Sequence, residues 1–140
     1  MTSAFHGSTS KIKLFTNAHK TRRGTFGGGY YFADYDCAWE YADGLDEGVT
    51  EVKLNPVNTY QFTVPKAYEG DYPGTLLVKE LFTTENARDI NDRSGQSDGY
   101  IGSEVEDELS VKGYDSLFVT YSDGSQELIM YKNDQIKTIH

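Results

Sequence analysis

Apolar and polar positions alternate along Val49–Leu54 and again along Asn58–Val64, a run rich in Thr, Tyr and Phe. With Asn55-Pro56 turning the chain between them, the pattern predicts two strands. Thr2 to His6 and Tyr30 to Ala33 read as shorter strands, the first ending at Gly7 and the second entered from Gly27-Gly28-Gly29. Asp34 is a suitable N-cap for a helix over Tyr35–Ala42, which carries acids in its first turn, stops at Asp43-Gly44 and puts Cys37, Trp39 and Tyr41 on different faces. Leu76 to Phe82 fits a helix or a strand equally well. Asn91 to Gly102 is polar and glycine-bearing, the pattern of a mobile surface loop. Ser103 and Glu106 have capping-box spacing, opening a helix that ends at Lys112-Gly113. Tyr114–Tyr121 and Gln126–Tyr131 are β-rich runs joined by Ser122-Asp123-Gly124-Ser125, a hairpin pattern. Hairpins and short helices outnumber any βαβ pattern, so the fold class is α+β with an antiparallel-rich sheet.

A chain of 140 residues suits one domain over 1–140 with a single modest core. The apolar share of 37% and aromatic share of 14%, including 11 tyrosines, match a folded chain and exclude disorder. No apolar run approaches the roughly eighteen residues of a bilayer span, and the start of the chain lacks a secretion-signal layout, so the expectation is a cytoplasmic protein with no membrane partner. Cys37 is the single cysteine, which excludes an internal disulfide and a thiolate zinc site and reads as a small half-buried core residue.

Charge changes the picture. The net charge is −9, yet residues 1–33 hold Lys11, Lys13, Lys20, Arg22 and Arg23 and no acid. The overall acidity disfavours a nucleic acid partner or acceptor, while the basic front can hold one small polyanion.

Taken singly, the candidate chemical residues have ordinary readings: His6 as a partly buried histidine, Tyr31 as core, Glu127 as a solvent-facing strand residue. Their order suggests more. Glycines before a tyrosine let backbone pass close to a flat ligand, and the tyrosine ring can stack on a planar heterocycle. An ionised glutamate stabilises positive charge developing on a sugar carbon. A neutral histidine can bond a ribose hydroxyl. Together they describe a pocket for a ribosylated, positively charged heteroaromatic such as the nicotinamide end of NAD.

Phe5-His6-Gly7-Ser8, then Phe26-Gly27-Gly28-Gly29-Tyr30-Tyr31-Phe32-Ala33-Asp34 with the helix to Tyr41 and the strand Glu51-Val52-Lys53-Leu54, then Gln126-Glu127-Leu128-Ile129-Met130-Tyr131 resemble, in order, the three motifs of ADP-ribosyltransferases of the His-Tyr-Glu type. Gly113-Tyr114-Asp115-Ser116-Leu117 also resembles small forms from phage and mobile elements. Residues 64–102 match nothing in that family's pattern. The resemblance implies two small antiparallel-rich sheets around an NAD cleft with a few short helices, NAD as co-substrate and no metal. It implies that His6 bonds the adenosine-side ribose, the Gly7 backbone beside Ser8 pairs with the carboxamide, and Tyr31 and Tyr41 sandwich the nicotinamide, with Trp39 competing for the place of Tyr41. Glu127 would bond the nicotinamide-ribose hydroxyl and stabilise an oxocarbenium-like transition state. Arg22 and Arg23 would face the pyrophosphate.

Two positions depart from the pattern. Ala38 stands where many polymerase-like members have a carboxamide-binding serine. Ser125 stands where arginine-modifying members have Gln or Glu, which makes arginine a less favoured acceptor. The implied activity is mono-ADP-ribosyl transfer to a host protein by a phage or mobile-element effector acting in the bacterial cytoplasm, with an anti-defence role such as anti-CRISPR as one expectation. The alternatives are an NAD glycohydrolase and a non-catalytic module that docks through the acids of residues 85–108.

Overall fold

The computed structural model describes residues 2–139. In chain order the elements are β1 (Thr2–Gly7), β2 (Tyr30–Phe32), α1 (Tyr35–Tyr41), β3 (Val49–Leu54), β4 (Thr59–Thr63), α2 (Gly74–Leu81), α3 (Thr84–Gly95), α4 (Glu104–Val111), β5 (Ser116–Thr120), β6 (Gln126–Met130) and β7 (Ile136–Thr138). They form two small sheets, β1-β3-β7 and β2-β6-β5-β4, in an α+β architecture. All pairings are antiparallel except β4 on β5.

That parallel pair departs from the sequence pattern and explains the middle of the chain. Two parallel strands cannot be joined by a tight turn, so the segment between Thr63 and Ser116 must cross the sheet, and it does so as α2, α3 and α4. Leu76–Phe82, ambiguous in sequence, is therefore most of a helix. The expected loop over Asn91–Gly102 is a correction: its first five residues complete α3, and Ser94, Ile101 and Gly102 are buried. Ala87, Ile90 and Ser94 are the buried residues of α3, a stripe too small and too polar to register as an apolar period. The Thr83 hydroxyl caps the helix by accepting from the Asn86 N–H.

Ser103 does begin α4, but its side chain makes no capping bond. The two residues before it are already tied across the molecule, Ile101 exchanging both backbone bonds with Gly24 and the Gly102 carbonyl accepting from Gly28. These ties deliver the chain to the helix in a helical conformation, φ −80° and ψ −4° at Ser103, instead of the extended one a capping side chain needs.

Alternation along β6 divides the core. Leu128 and Met130 pack between the two sheets with Tyr30, Phe32, Val52 and Leu54, while Ile129 and Tyr131 pack under the helices with Leu77, Val105, Leu109 and Leu117. Each fully buried aliphatic side chain contributes roughly 2 kcal/mol relative to exposure. The sheets meet where Phe5 and Ala33 exchange both backbone hydrogen bonds at 2.9 Å. Because β6 alternates strictly, Glu127 shares a face with Ile129. The register places Tyr31 opposite Ile129 and Val119 opposite Glu127, which puts Tyr31, Glu127 and Tyr121 on that same face.

Candidate active site

A cleft of about 350 Å³ opens beside the junction of the two sheets, on the face of the larger sheet that carries Tyr31 and Glu127, and is within the size range of small-molecule sites. β1 lines it with Phe5, His6 and Gly7, and β2 and its end with Tyr31, Phe32 and Ala33. Thr21, Arg23, Gly24 and Thr25 of the preceding loop, Cys37, Ala38 and Tyr41 of α1, Tyr100, and Glu127 of β6 complete the wall.

The His6 Nδ1 is 2.9 Å from the Tyr31 carbonyl oxygen. A carbonyl only accepts, so Nδ1 carries the hydrogen and Nε2 of the neutral ring is left as an acceptor. Phe15 and Phe32 hold the ring, with centroids 5.3 and 5.7 Å away. Burial pushes the His6 pKa below its usual value and His19 adds to this, while the bond to Tyr31 opposes it. The folded form thus favours neutral His6, a contribution to stability present above the ordinary histidine pKa and lost as pH falls through the depressed one. We expect the melting temperature to fall on acidification below about pH 6.5, and His6→Asn to flatten that dependence in a thermal-melt series; identical pH profiles for the two proteins would refute it.

Gly7 presents backbone to the cleft. Phe5 spends its N–H and C=O on Ala33, so in an antiparallel strand the residue two further on points the same way. The Ser8 N–H bonds back to Gly48, which fits the same alternation. The Gly7 N–H and C=O therefore point past the Phe5–Ala33 bridge, a donor and an acceptor side by side as a carboxamide requires. Glycine is needed there because a Cβ would collide with the Ala38 carbonyl oxygen and come within 2.9 Å of the Tyr41 Cβ.

Tyr31 is anchored at its far end: its hydroxyl donates to the Gly27 carbonyl at 2.6 Å and accepts from the Phe26 N–H at 3.0 Å. Burial raises its pKa well above the ordinary phenol value. Tyr41 lines the same cleft from α1 and is 71% exposed as a residue, free to cover a ligand. Trp39, two residues earlier, is on the other side of the helix against Gly44. Glu127 is half-buried at the cleft wall. Burial raises its pKa, and a 2.8 Å hydrogen bond from the Tyr121 hydroxyl to Oε1 works against that rise.

The cleft thus gathers His6, Gly7, Tyr31, Tyr41, Arg23 and Glu127, but Ser8 and Arg22 are not among its lining residues. The Ser8 hydroxyl donates to the Ser10 carbonyl, and Arg22 is exposed beside the glycine run. Lys20 is committed to Glu106 at 2.8 Å. The glycine triplet is not among the cleft-lining residues and packs against protein: Gly29, at φ +148°, exchanges bonds with Thr21 and lies under Tyr131. Sequence reasoning did not find Thr21, Thr25, Tyr100 or Tyr121. Tyr100 lay in the supposed loop. Tyr121 carried a usable signal, since a hairpin places it diagonally across from Glu127 on the same face. Among the described residues no group of three or more His, Cys, Asp or Glu is arranged to hold a metal ion, and no helix is long and apolar enough to cross a membrane.

Two small sheets with a polar and aromatic cleft beside their junction, and short helices outside, form an α+β fold of the ADP-ribosyltransferase kind. The family described as "ADP-Ribosyltransferase in polyvalent proteins" matches residues 2–140, and the chain belongs to it. A search of curated proteins gave no match. Among solved structures, one titled "Crystal structure of an anti-CRISPR protein" aligns at a TM-score of 0.45 and 20% identity, over 99% of this chain and 95% of that one.

Proposed function

We propose that this protein is a mono-ADP-ribosyltransferase of the His-Tyr-Glu type, taking NAD as co-substrate. The observation that carries the reading is one cleft lined by His6, Tyr31, Tyr41 and Glu127, from two sheets and a helix, in a chain of this family. His6 Nε2 accepts from an adenosine-side ribose hydroxyl. The Gly7 N–H and C=O pair with the carboxamide, in keeping with Ala38 offering no hydroxyl. Tyr31 and Tyr41 enclose the nicotinamide ring, and Arg23, the lining guanidinium, faces the pyrophosphate.

Glu127 takes the ribose hydroxyl beside the reacting carbon and stabilises the positive charge that builds there. The bond from that carbon to the nicotinamide nitrogen breaks, its electron pair leaving with the ring, which becomes neutral. A nucleophile on the acceptor forms the new bond and gives up its proton to solvent. The acceptor belongs to the proposal as a host protein in a bacterial cell, on the resemblance of Gly113–Leu117 to small phage and mobile-element forms.

The test is incubation of the protein with adenylate-labelled NAD and bacterial lysate, beside Glu127→Gln. Label on a macromolecule that depends on Glu127 is the expected result. Label released only as free ADP-ribose would make the enzyme a glycohydrolase. Intact NAD with both proteins would refute the reading.

A further inference from the structure

Glu127 lines the cleft, yet one of its two oxygens is already taken. The Tyr121 hydroxyl donates to Oε1 at 2.8 Å, and no other protein partner reaches the carboxylate among the described residues. Tyr121 lies just beyond β5, and its backbone is fixed on both sides: its N–H donates to the Ser125 carbonyl at 2.9 Å, and its own carbonyl accepts from the Gly124 N–H at 3.0 Å. A hydroxyl held on a closed turn is a rigid point from which to aim a flexible glutamate. Resting on the proposed function above, we propose that Tyr121 is a positioning residue for Glu127: it clamps Oε1 so that Oε2 is presented to the ribose hydroxyl in one orientation.

The electrostatic surroundings give the clamp a second effect. Facing Glu127 are Tyr121 from the end of β5, Tyr31 from β2, and Cys37 and Tyr41 from α1. Burial raises the pKa of each of these four groups, so all are uncharged at neutral pH. His6 and Arg23 line the same cleft, but no Lys, Arg or His among the described residues forms an ion pair with Glu127. With no cation paired to it, the ionised carboxylate is favoured against burial by a hydrogen bond donated by a phenol. Tyr121 remains protonated throughout the working range and donates throughout it.

Tyr121→Phe removes the hydroxyl and keeps the ring. We expect kcat for NAD cleavage to fall about tenfold, as for loss of one hydrogen bond to a charged group. KM for NAD stays within a factor of two or so, because Tyr121 does not line the cleft. The acid limb of the pH–rate profile moves upward by about one unit, a displacement that a purely structural residue would not produce. In parallel, carbon-13 NMR titration of the Glu127 carboxyl in both proteins shows the same upward move without requiring turnover.

A wild-type kcat and an unmoved Glu127 titration in the variant would overturn the proposal, as would a loss confined to melting temperature and KM. The proposed function fails separately. If wild type and Glu127→Gln cleave NAD equally, that reading falls and takes the clamp's catalytic role with it. If only Glu127→Gln loses activity, the reading stands and the clamp alone falls.

Discussion

Glu127→Gln should lower NAD turnover by roughly a hundredfold or more while raising the melting temperature at neutral pH. The two effects have one cause. The carboxylate is partly withdrawn from water and has no ion-pair partner among the described residues, so burial raises its pKa and its charge costs folding energy. A group whose folded pKa lies above its unfolded value supports the fold below the unfolded pKa, and that support is lost as pH rises through the folded one. Glutamine keeps the shape and can still accept from Tyr121, but it carries no charge to offset the charge growing on the ribose. The variant should therefore melt above wild type at pH 7, and the gap should close as pH falls toward the ordinary carboxylate range of about 4. NAD affinity by calorimetry should stay within a few-fold, since the proposed contacts at Gly7, Tyr31 and Tyr41 are untouched. Unchanged turnover, or a variant that melts below wild type at pH 7, would contradict this account of the site.

Gly7→Ala should damage both fold and binding. A Cβ at this position meets the Ala38 carbonyl oxygen and lies 2.9 Å from the Tyr41 Cβ, so α1 must retreat from β1. Backbone cannot swing aside as a long side chain can. α1 is also held by Ala38 and Ala42 packing against Val49 and Phe5. Overpacking of this kind costs about 3 kcal/mol, or a fall of roughly 10 °C in the melting temperature of a chain this size. The retreat carries Tyr41 away from Tyr31 and widens the slot, so NAD affinity should drop by more than tenfold even where the variant is fully folded. Calorimetry well below the melting transition separates the two effects. Wild-type affinity in a folded variant would show that the close approach of β1 and α1 is a packing feature alone.

Much of this molecule was legible from residue order. β3 falls on the residues its alternation marks, and α1 begins at the Asp34 cap, whose carboxylate accepts from the Cys37 N–H at 2.8 Å. The β5–β6 hairpin and the helix stop at Gly113, with φ +91°, follow from turn chemistry. Each of these signals is local: a period of two, a short polar side chain before a helix, a glycine able to take positive φ. α3 was hidden because its inward stripe is small and polar. The β4–β5 pairing was hidden because a parallel partner over fifty residues away leaves no mark at the turn.

The site shows the same division. The sequence by itself determined which side chains are chemically able to act, and placed His6, Tyr31 and Glu127 on strands. Alternation alone then makes Tyr31, Glu127 and Tyr121 neighbours once β2, β6 and β5 are paired. Tertiary structure alone decided that Arg23 and not Arg22 reaches the cleft, that Tyr41 and not Trp39 lines it, that Ser8 turns away, and that Gly27–Gly29 bury themselves against Thr21 and Gly102. Adjacent residues in a loop or on a helix differ in direction by a large angle, and composition does not record which direction faces a cleft. That is set by contacts between segments far apart in the chain, here the Phe5–Ala33 bridge and the Gly24–Ile101 exchange, which form only when the whole fold closes.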